Sequence, residues 1–176
     1  FLGAMMTGVV VTAPLSDRVF HAGATGYGWL NGGWGVGAFL SAAYAPMLIA
    51  RMGSRASIAG SMLLLTIGMA VSPYSPWLSM AVLCYWVMGS ARGVSGVAMN
   101  TSLMEQVPQH FMGRVQNSFY FAGTGLQVVL GFLVGAVAQL NLVAGFAVIG
   151  IVYALAFVAS SWPVGAPLPA GAGSVE

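Results

Sequence analysis

The stretch NLVAGFAVIGIVYALAFVASSW (residues 141–162) holds no charged residue and is long enough to cross a membrane as a single helix. Five further stretches are similarly apolar: residues 1–16, 24–50, 56–73, 76–101 and 113–138. Since a membrane helix needs about 20 mostly apolar residues, the pattern predicts an all-α membrane protein, with six transmembrane helices forming one bundle over 1–162. The Pro/Gly/Ala-rich residues 163–176 are predicted to be a disordered cytoplasmic tail.

The composition supports a membrane location and excludes several functions. Hydrophobic residues make up 59% of the 176 residues and charged residues only 5%, whereas a soluble domain carries roughly a quarter charged residues. Five arginines are too few to form a positively charged surface that binds nucleic acid. We find no metal motif, no phosphate loop and no nucleophile–base pair, so neither a cofactor nor enzymatic activity is expected. The chain begins at Phe1 in apolar sequence, and we expect an upstream part to be missing.

The arginines predict the orientation in the membrane. With six spans, Arg18 lies on one side, and Arg51, Arg55 and Arg114 lie on the other. Because short cytoplasmic loops carry an excess of Arg and Lys, the second side is predicted to be cytoplasmic. Both termini of this multi-pass protein of the cell membrane then also face the cytoplasm. Gly53, between Arg51 and Arg55, allows a sharp turn between two helices.

Pairs of glycines four residues apart occur in several predicted spans. Such pairs let membrane helices approach closely. One interpretation is simple helix packing, and the other is that smooth contacts also let helices rock past one another. The pairs are Gly28/Gly32, Gly33/Gly37, Gly89/Gly93 and Gly131/Gly135.

Two loops resemble elements of a transporter family. RMGSR (residues 51–55) resembles the signature loop of the major facilitator superfamily, of the type Gly-x-x-x-Asp-Arg-x-Gly-Arg, which recurs in degenerate form between the eighth and ninth helices. Arg51, Gly53 and Arg55 are the matching residues, and Ala50 stands where the acid would be. The charge relay of the full motif is therefore not assumed.

The second resemblance is in EQVPQHFMGRVQNSFYFAGTG (residues 105–125). It looks like the loop between the tenth and eleventh helices of drug and siderophore exporters, the macrolide-efflux-like branch of this superfamily. The matching residues are Glu105, Pro108, Gly113, Arg114 and Val115. A weaker likeness is RGVSG (residues 92–96), which resembles an Arg-x-x-x-Gly element of the family's fourth helix.

The resemblance implies that the chain corresponds to helices 7–12, the C-terminal half of a twelve-helix transporter, with two inverted three-helix repeats. It implies secondary active transport of a small organic molecule by alternating access, as proton-coupled efflux by an antiporter. The partners would be the lipid bilayer, the substrate and the missing N-terminal half of the same transporter. The alternative is a structural or assembly subunit of a membrane complex that transports nothing.

Arg92 is the one charged residue inside a predicted span. It lies about 24 Å along the helix from Pro76 at ~1.5 Å per residue, where an arginine costs roughly 2.5–3.5 kcal/mol on insertion scales. One interpretation is that Arg92 extends to the cytoplasmic interface or pairs with helix carbonyls. The other is that it lies in a cavity, facing an anionic substrate or a carboxylate of the missing half.

A polar stripe follows one face of the fifth predicted span. Its spacings of three and four residues place its members on the same side of a helix, and in lipid such a face must look inward. The stripe either forms hydrogen bonds between helices or lines the substrate path. Asn31, Trp34 and Ser41 of the second span are expected to face the same space. The stripe residues are Asn117, Tyr120, Thr124, Gln127 and Gly131.

Charged residues gather at the predicted cytoplasmic rim. Arg51, Arg55, Glu105 and Arg114 are predicted to form a salt-bridge gate, with Gly53 and Gly113 in the same loops, and we expect Arg51 or Arg55 within reach of Glu105. The alternative is a solvated rim, where such pairs contribute at most about 1 kcal/mol each.

Overall fold

The computed structural model describes residues 9–162, and these residues are almost entirely helical, with no strand among them. The predicted all-α class is therefore confirmed. The observed helix boundaries agree with the predicted spans within five residues wherever a whole span is described. The helices are α1 (Val9–Pro14, continued by a π turn at Leu15–Val19), α2 (Gly23–Met52), α3 (Ser54–Val71), α4 (Leu78–Gln106), α5 (Met112–Leu140) and α6 (Leu142–Ser161).

Four of these helices are long and apolar enough to cross a membrane: α2, α3 with the turn that follows it, α5 with the turn that precedes it, and α6. Helix α4 has 29 residues, but Arg92 and several Ser, Thr and Asn residues make it less apolar. Of the first predicted span, residues 1–16, only Val9 onward is described, and the tail at 163–176 lies outside the described residues. The structure thus supports a membrane protein with at least four helices of spanning character.

Hydroxyl groups in α3 bond to the helix itself. Ser57 Oγ donates to the carbonyl of Gly53 at 2.9 Å, Ser61 Oγ to Ser57 at 2.7 Å and Thr66 Oγ1 to Met62 at 2.8 Å. Each bond reaches back four residues, so the polar group is satisfied without a partner from another helix. This explains how these three hydroxyl groups remain compatible with lipid.

The turns follow the local chemistry of the sequence. Gly53 separates α2 from α3 with φ 82°, a conformation that residues with a Cβ rarely adopt, as the sequence predicted. Asn141 caps the start of α6, and its Oδ1 accepts a hydrogen bond from the backbone N–H of Ala144 at 3.2 Å. The turn between α3 and α4 contains a single 3-10 turn at Ser72–Tyr74.

Glycines bring α2 and α4 together along their length, in the most extensive helix contact of the described residues. A Cβ added to Gly37 would overlap the carbonyl oxygen of Trp86, and one on Gly89 would overlap the carbonyl oxygen of Trp34. A Cβ on Gly33 would meet the carbonyl oxygen of Val82 at 2.9 Å, and one on Gly93 would overlap the Ser41 hydroxyl and meet the Ala38 carbonyl oxygen at 3.0 Å. Two of the predicted glycine pairs, Gly33/Gly37 and Gly89/Gly93, therefore form one backbone-to-backbone contact.

The other two predicted glycine pairs do not form such contacts. Gly28, Gly32 and Gly131 have open space where a Cβ would lie, and a Cβ on Gly135 would meet Val10 at an ordinary 3.6 Å. The spacing of glycines alone is the same in all four pairs, so it does not distinguish a buried helix face from an open one.

Two hydrogen bonds identify the two ends of the bundle. Arg55 Nε donates to the carbonyl of Ser160 at 2.9 Å, which places the α2–α3 turn beside the end of α6; we call this the Arg55 end. Arg18 Nη1 donates to the carbonyl of Ala138 at 3.3 Å, so Arg18 lies beside the α5–α6 turn at the other end. Arg18 and Arg55 thus lie at opposite ends, as the alternation of the predicted spans requires.

The remaining loops agree with this arrangement. Gly33 of α2 lies against Val82 of α4, and Ser41, further along α2, lies against Gly93, further along α4. Helices α2 and α4 therefore run in the same direction, which places Glu105 and the α4–α5 loop at the Arg55 end. Tyr74 and Val143 border the same cleft, so the turn after α3 lies with the α5–α6 turn at the opposite end.

The core is formed mainly by α3, α4 and α6. Its largest fully buried side chains include Tyr85, Tyr153, Phe146, Met62 and Met88. Helix α5 contributes far less, because only Gly123, Val134 and Ala138 of its 29 residues are buried. Helix α5 therefore lies at the edge of the bundle, against α1 and α6, with most of its surface exposed.

Candidate substrate path

A cleft of about 600 Å³ lies between α1, α5 and α6. Thr124 and Gln127 of the predicted polar stripe line it, together with Gly131. Val10 and Ile149 form the opposite walls. A cleft of this size is within the range of small-molecule sites, which are mostly apolar with a few polar groups that orient the ligand. We call it the α5 cleft.

The other members of the stripe lie closer to the Arg55 end and do not line the α5 cleft. Asn117 is exposed, and Tyr120 is 46% exposed. Gln127 is half-buried, and Thr124 is exposed at the edge of the cleft. The stripe is thus divided. Thr124 and Gln127, nearer the middle of α5, border the cleft, whereas Asn117 and Tyr120, nearer Arg114, face outward.

Three residues of α2 that were expected to face the same space pack elsewhere. Asn31 Nδ2 donates to the carbonyl of Tyr27 in its own helix at 3.0 Å. The Trp34 ring meets Tyr85 edge to face, with ring centroids 6.2 Å apart. Ser41 is buried against Gly93. Trp34 and Ser41 therefore belong to the contact between α2 and α4 rather than to the α5 cleft.

A buried polar cluster connects three helices in the interior. The hydroxyls of Thr12 and Tyr85 share a hydrogen bond of 2.9 Å. Tyr153 of α6 is fully buried in the same core as Tyr85. We call Thr12, Tyr85 and Tyr153 the tyrosine cluster. Polar groups buried at such a place in an apolar chain lock helices together and mark candidate functional positions.

Arg92, the charged residue that the sequence identified, lies in the middle of α4, and its side chain is half-buried. Its Nη1 lies beside Gly96, one turn further along α4, because a Cβ on Gly96 would meet it at 3.3 Å. The side chain thus follows its own helix toward the Arg55 end. Tyr85 could have been found as well, since it precedes Arg92 by seven residues, two turns of the same helix face. Nothing in the sequence pattern singles out Tyr153.

The predicted gate residues gather at the Arg55 end, but they do not form the expected ion pair. Arg55 bonds to the Ser160 carbonyl, and Arg51 and Glu105 are exposed. Among the described residues, no carboxylate oxygen of Glu105 lies within 4.0 Å of an arginine nitrogen. The predicted contact between Glu105 and Arg51 or Arg55 is therefore not formed in this structure.

The second gate loop is solvated. Gly113 lies in the first turn of α5 with open space around it, so no close approach explains the glycine. Arg114 is exposed, and its carbonyl accepts a hydrogen bond from Ser118 Oγ at 2.9 Å. Both residues belong to the rim of the Arg55 end, where the charges are open to water and to lipid headgroups.

Comparison with known proteins adds no relative: no family model, no curated protein and no solved structure matches the chain.

Proposed function

We propose that the chain is a six-helix half of a secondary transporter of the major facilitator type, which moves a small organic molecule by alternating access. The observation that carries the proposal is the α5 cleft, where Thr124 and Gln127 face a space of about 600 Å³ in a very apolar chain. Polar side chains at membrane depth are costly, so they are kept where they meet a substrate, water or another helix.

The helix contacts support an internal repeat. The contact of α2 with α4 corresponds to that of α5 with α1, and the contact of α3 with α4 corresponds to that of α6 with α1. Helices α3 and α6 also pack on each other. These contacts therefore remain the same when the first three helices, α1–α3, are exchanged with the last three, α4–α6. Because each unit has three helices, the second unit begins at the opposite end of the bundle, as an inverted repeat would.

The loose packing of α5 supports a moving part. Helix α5 has few buried residues, whereas α2 and α4 are joined by close glycine contacts. In alternating access, one group of helices moves against another around a central site. In this proposal α5 closes and opens the cleft, and the missing N-terminal half forms the rest of the path.

Orientation and coupling complete the proposal. The Arg55 end faces the cytoplasm, because Arg51, Arg55 and Arg114 lie there and Arg18 lies at the other end. The described acids Asp17 and Glu105 and both histidines lie at or near the helix ends. The group that exchanges protons during efflux is therefore assigned to the N-terminal half.

Replacing Gln127 with leucine tests the function. Cells that express the protein within its full coding sequence are grown with a panel of toxic organic compounds. We expect the wild type to raise the tolerated concentration of at least one compound several-fold, and Gln127→Leu to abolish this gain, because the cleft loses the amide that orients the substrate.

Gln139→Leu is the matched control, since its exposed side chain is outside the cleft, and it should behave like the wild type. Two outcomes contradict the proposal: no compound distinguishes the wild type from cells without the protein, or Gln127→Leu protects as well as the wild type.

A further inference from the structure

A second cleft, of about 550 Å³, lies between α2 and α3 with α4 as its floor. It begins at the α2–α3 turn, where Met52 and Ala56 line it, and it extends toward the middle of the bundle. We call it the lateral groove. Its lining residues include Met52, Ala56, Gly60, Leu64 and Ser90.

The wall of the lateral groove is apolar and opens sideways. Met52 is 55% exposed and Leu64 is 46% exposed, and both lie on helices of membrane-spanning character. Ser90 Oγ donates to the carbonyl of Gly37 at 3.2 Å, so its hydroxyl is already used. An occupant therefore enters from the lipid phase and meets mostly hydrocarbon.

Two arginines lie in the turn at the open end of the lateral groove, although neither lines the groove itself. Arg51 and Arg55 directly precede the groove residues Met52 and Ala56, and Arg51 is exposed. The bond from Arg55 Nε to the Ser160 carbonyl holds that guanidinium at the turn. Glu105, the one acid of the described residues at this end, makes no ion pair. A negatively charged group at this turn would complement both arginines.

The length of the lateral groove suits an acyl chain. The groove follows α3 from Ala56 to Leu64, which is about 12 Å at ~1.5 Å per residue. One hydrocarbon chain can lie along its apolar wall.

We propose that the lateral groove binds an anionic phospholipid, with the phosphate at Arg51 and Arg55 and one acyl chain along Gly60 and Leu64. The site is distinct from the α5 cleft, because the two share no lining residue. The bound lipid anchors the Arg55 end to an anionic leaflet by the attraction that juxtamembrane arginines exert on such lipids. This proposed lipid site does not depend on the proposed transport function.

The test is native mass spectrometry of the full chain in mild detergent, with phosphatidylglycerol and phosphatidylcholine of identical acyl chains. The wild type should retain phosphatidylglycerol more tightly, by about fivefold for each arginine. Arg51→Gln/Arg55→Gln should bind the two lipids equally. Arg114→Gln, which removes a charge at the same end outside the groove, should keep the preference.

A second pair of variants tests the acyl chain. Gly60 has open space where a Cβ would lie, so Gly60→Leu fills the lateral groove without a clash and should reduce retention of both lipids. Gly125→Leu on α5 is the control, because Gly125 is equally open but outside the groove. Circular dichroism checks that each variant keeps its helices.

Three results would overturn the proposal. The first is equal retention of the two lipids by the wild type, and the second is a preference that survives loss of both arginines. The third is a dimer of the chain that disappears in Gly60→Leu without any lipid preference, which would assign the groove to a second copy instead. The wild-type comparison and Gly60→Leu remain decisive if the double arginine variant does not fold.

Discussion

Replacing Gly37 with leucine is expected to destabilise the protein by at least about 3 kcal/mol, the upper part of the range for overpacking. The side chain would enter the space of the Trp86 carbonyl and the backbone nitrogen of Ser90. Both are helix backbone, which cannot move aside as a flexible side chain can. In a thermal unfolding scan of the purified chain, the midpoint should fall by roughly 6–12 °C.

Gly32→Leu is the matched control for this result. Gly32 lies five residues away on the same helix, is exposed, and has open space where its Cβ would be. Gly32→Leu changes the helix propensity and adds side-chain volume by the same amounts as Gly37→Leu. Equal midpoints for the two variants would mean that α2 and α4 do not meet at Gly37.

Replacing Tyr85 with alanine is expected to destabilise the protein by about 3–5 kcal/mol, as other truncations of large buried aromatic residues do. Tyr85 is 2% exposed, its ring meets Trp34, and its hydroxyl bonds to Thr12. The variant loses the aromatic volume and the link between α1 and α4. Equilibrium unfolding in a denaturing detergent mixture measures the loss.

A double-mutant cycle separates the hydrogen bond from the packing. Tyr85→Phe and Thr12→Val each remove one hydroxyl, and we expect a coupling energy of about 0.6–1.7 kcal/mol between them, as measured for other interhelical bonds in membranes. A Tyr85→Phe variant that loses as much stability as Tyr85→Ala would show that packing contributes nothing. Strictly additive effects would show that the Thr12 bond contributes nothing.

Much of the fold could be predicted from the sequence, because apolar length and turn residues act locally. The boundaries of α2 to α6 follow from apolar stretches that end at glycine, proline and asparagine. The number and order of the predicted spans indicated which loops share an end. The pairing of helices could not be predicted, because Gly32 and Gly37 are equivalent in sequence and differ only in what the fold brings against them.

The candidate site was predictable only in part. Thr124 and Gln127 follow from helical spacing, which depends on one helix. The opposite walls of the α5 cleft, Val10 and Ile149, are ordinary apolar residues of distant segments. Tyr153 joins Tyr85 only through the packing of α6. The Glu105 contact was wrong for this structure because exposed charges gain little from pairing and the Arg55 guanidinium bonds to the Ser160 carbonyl instead.

Alternating access is the central claim, and labelling of Gln127→Cys tests it most directly. Cys84 is the single native cysteine, so Cys84→Ser provides a background without thiols, and a membrane-impermeant thiol reagent is applied to right-side-out and to inside-out vesicles. Phe121→Cys is the control that faces lipid, since Phe121 is 84% exposed, and it should not react from either side. The account predicts that Gln127→Cys reacts from both sides, because the cleft opens to each in turn. Reaction from one side only, or from neither, would contradict it.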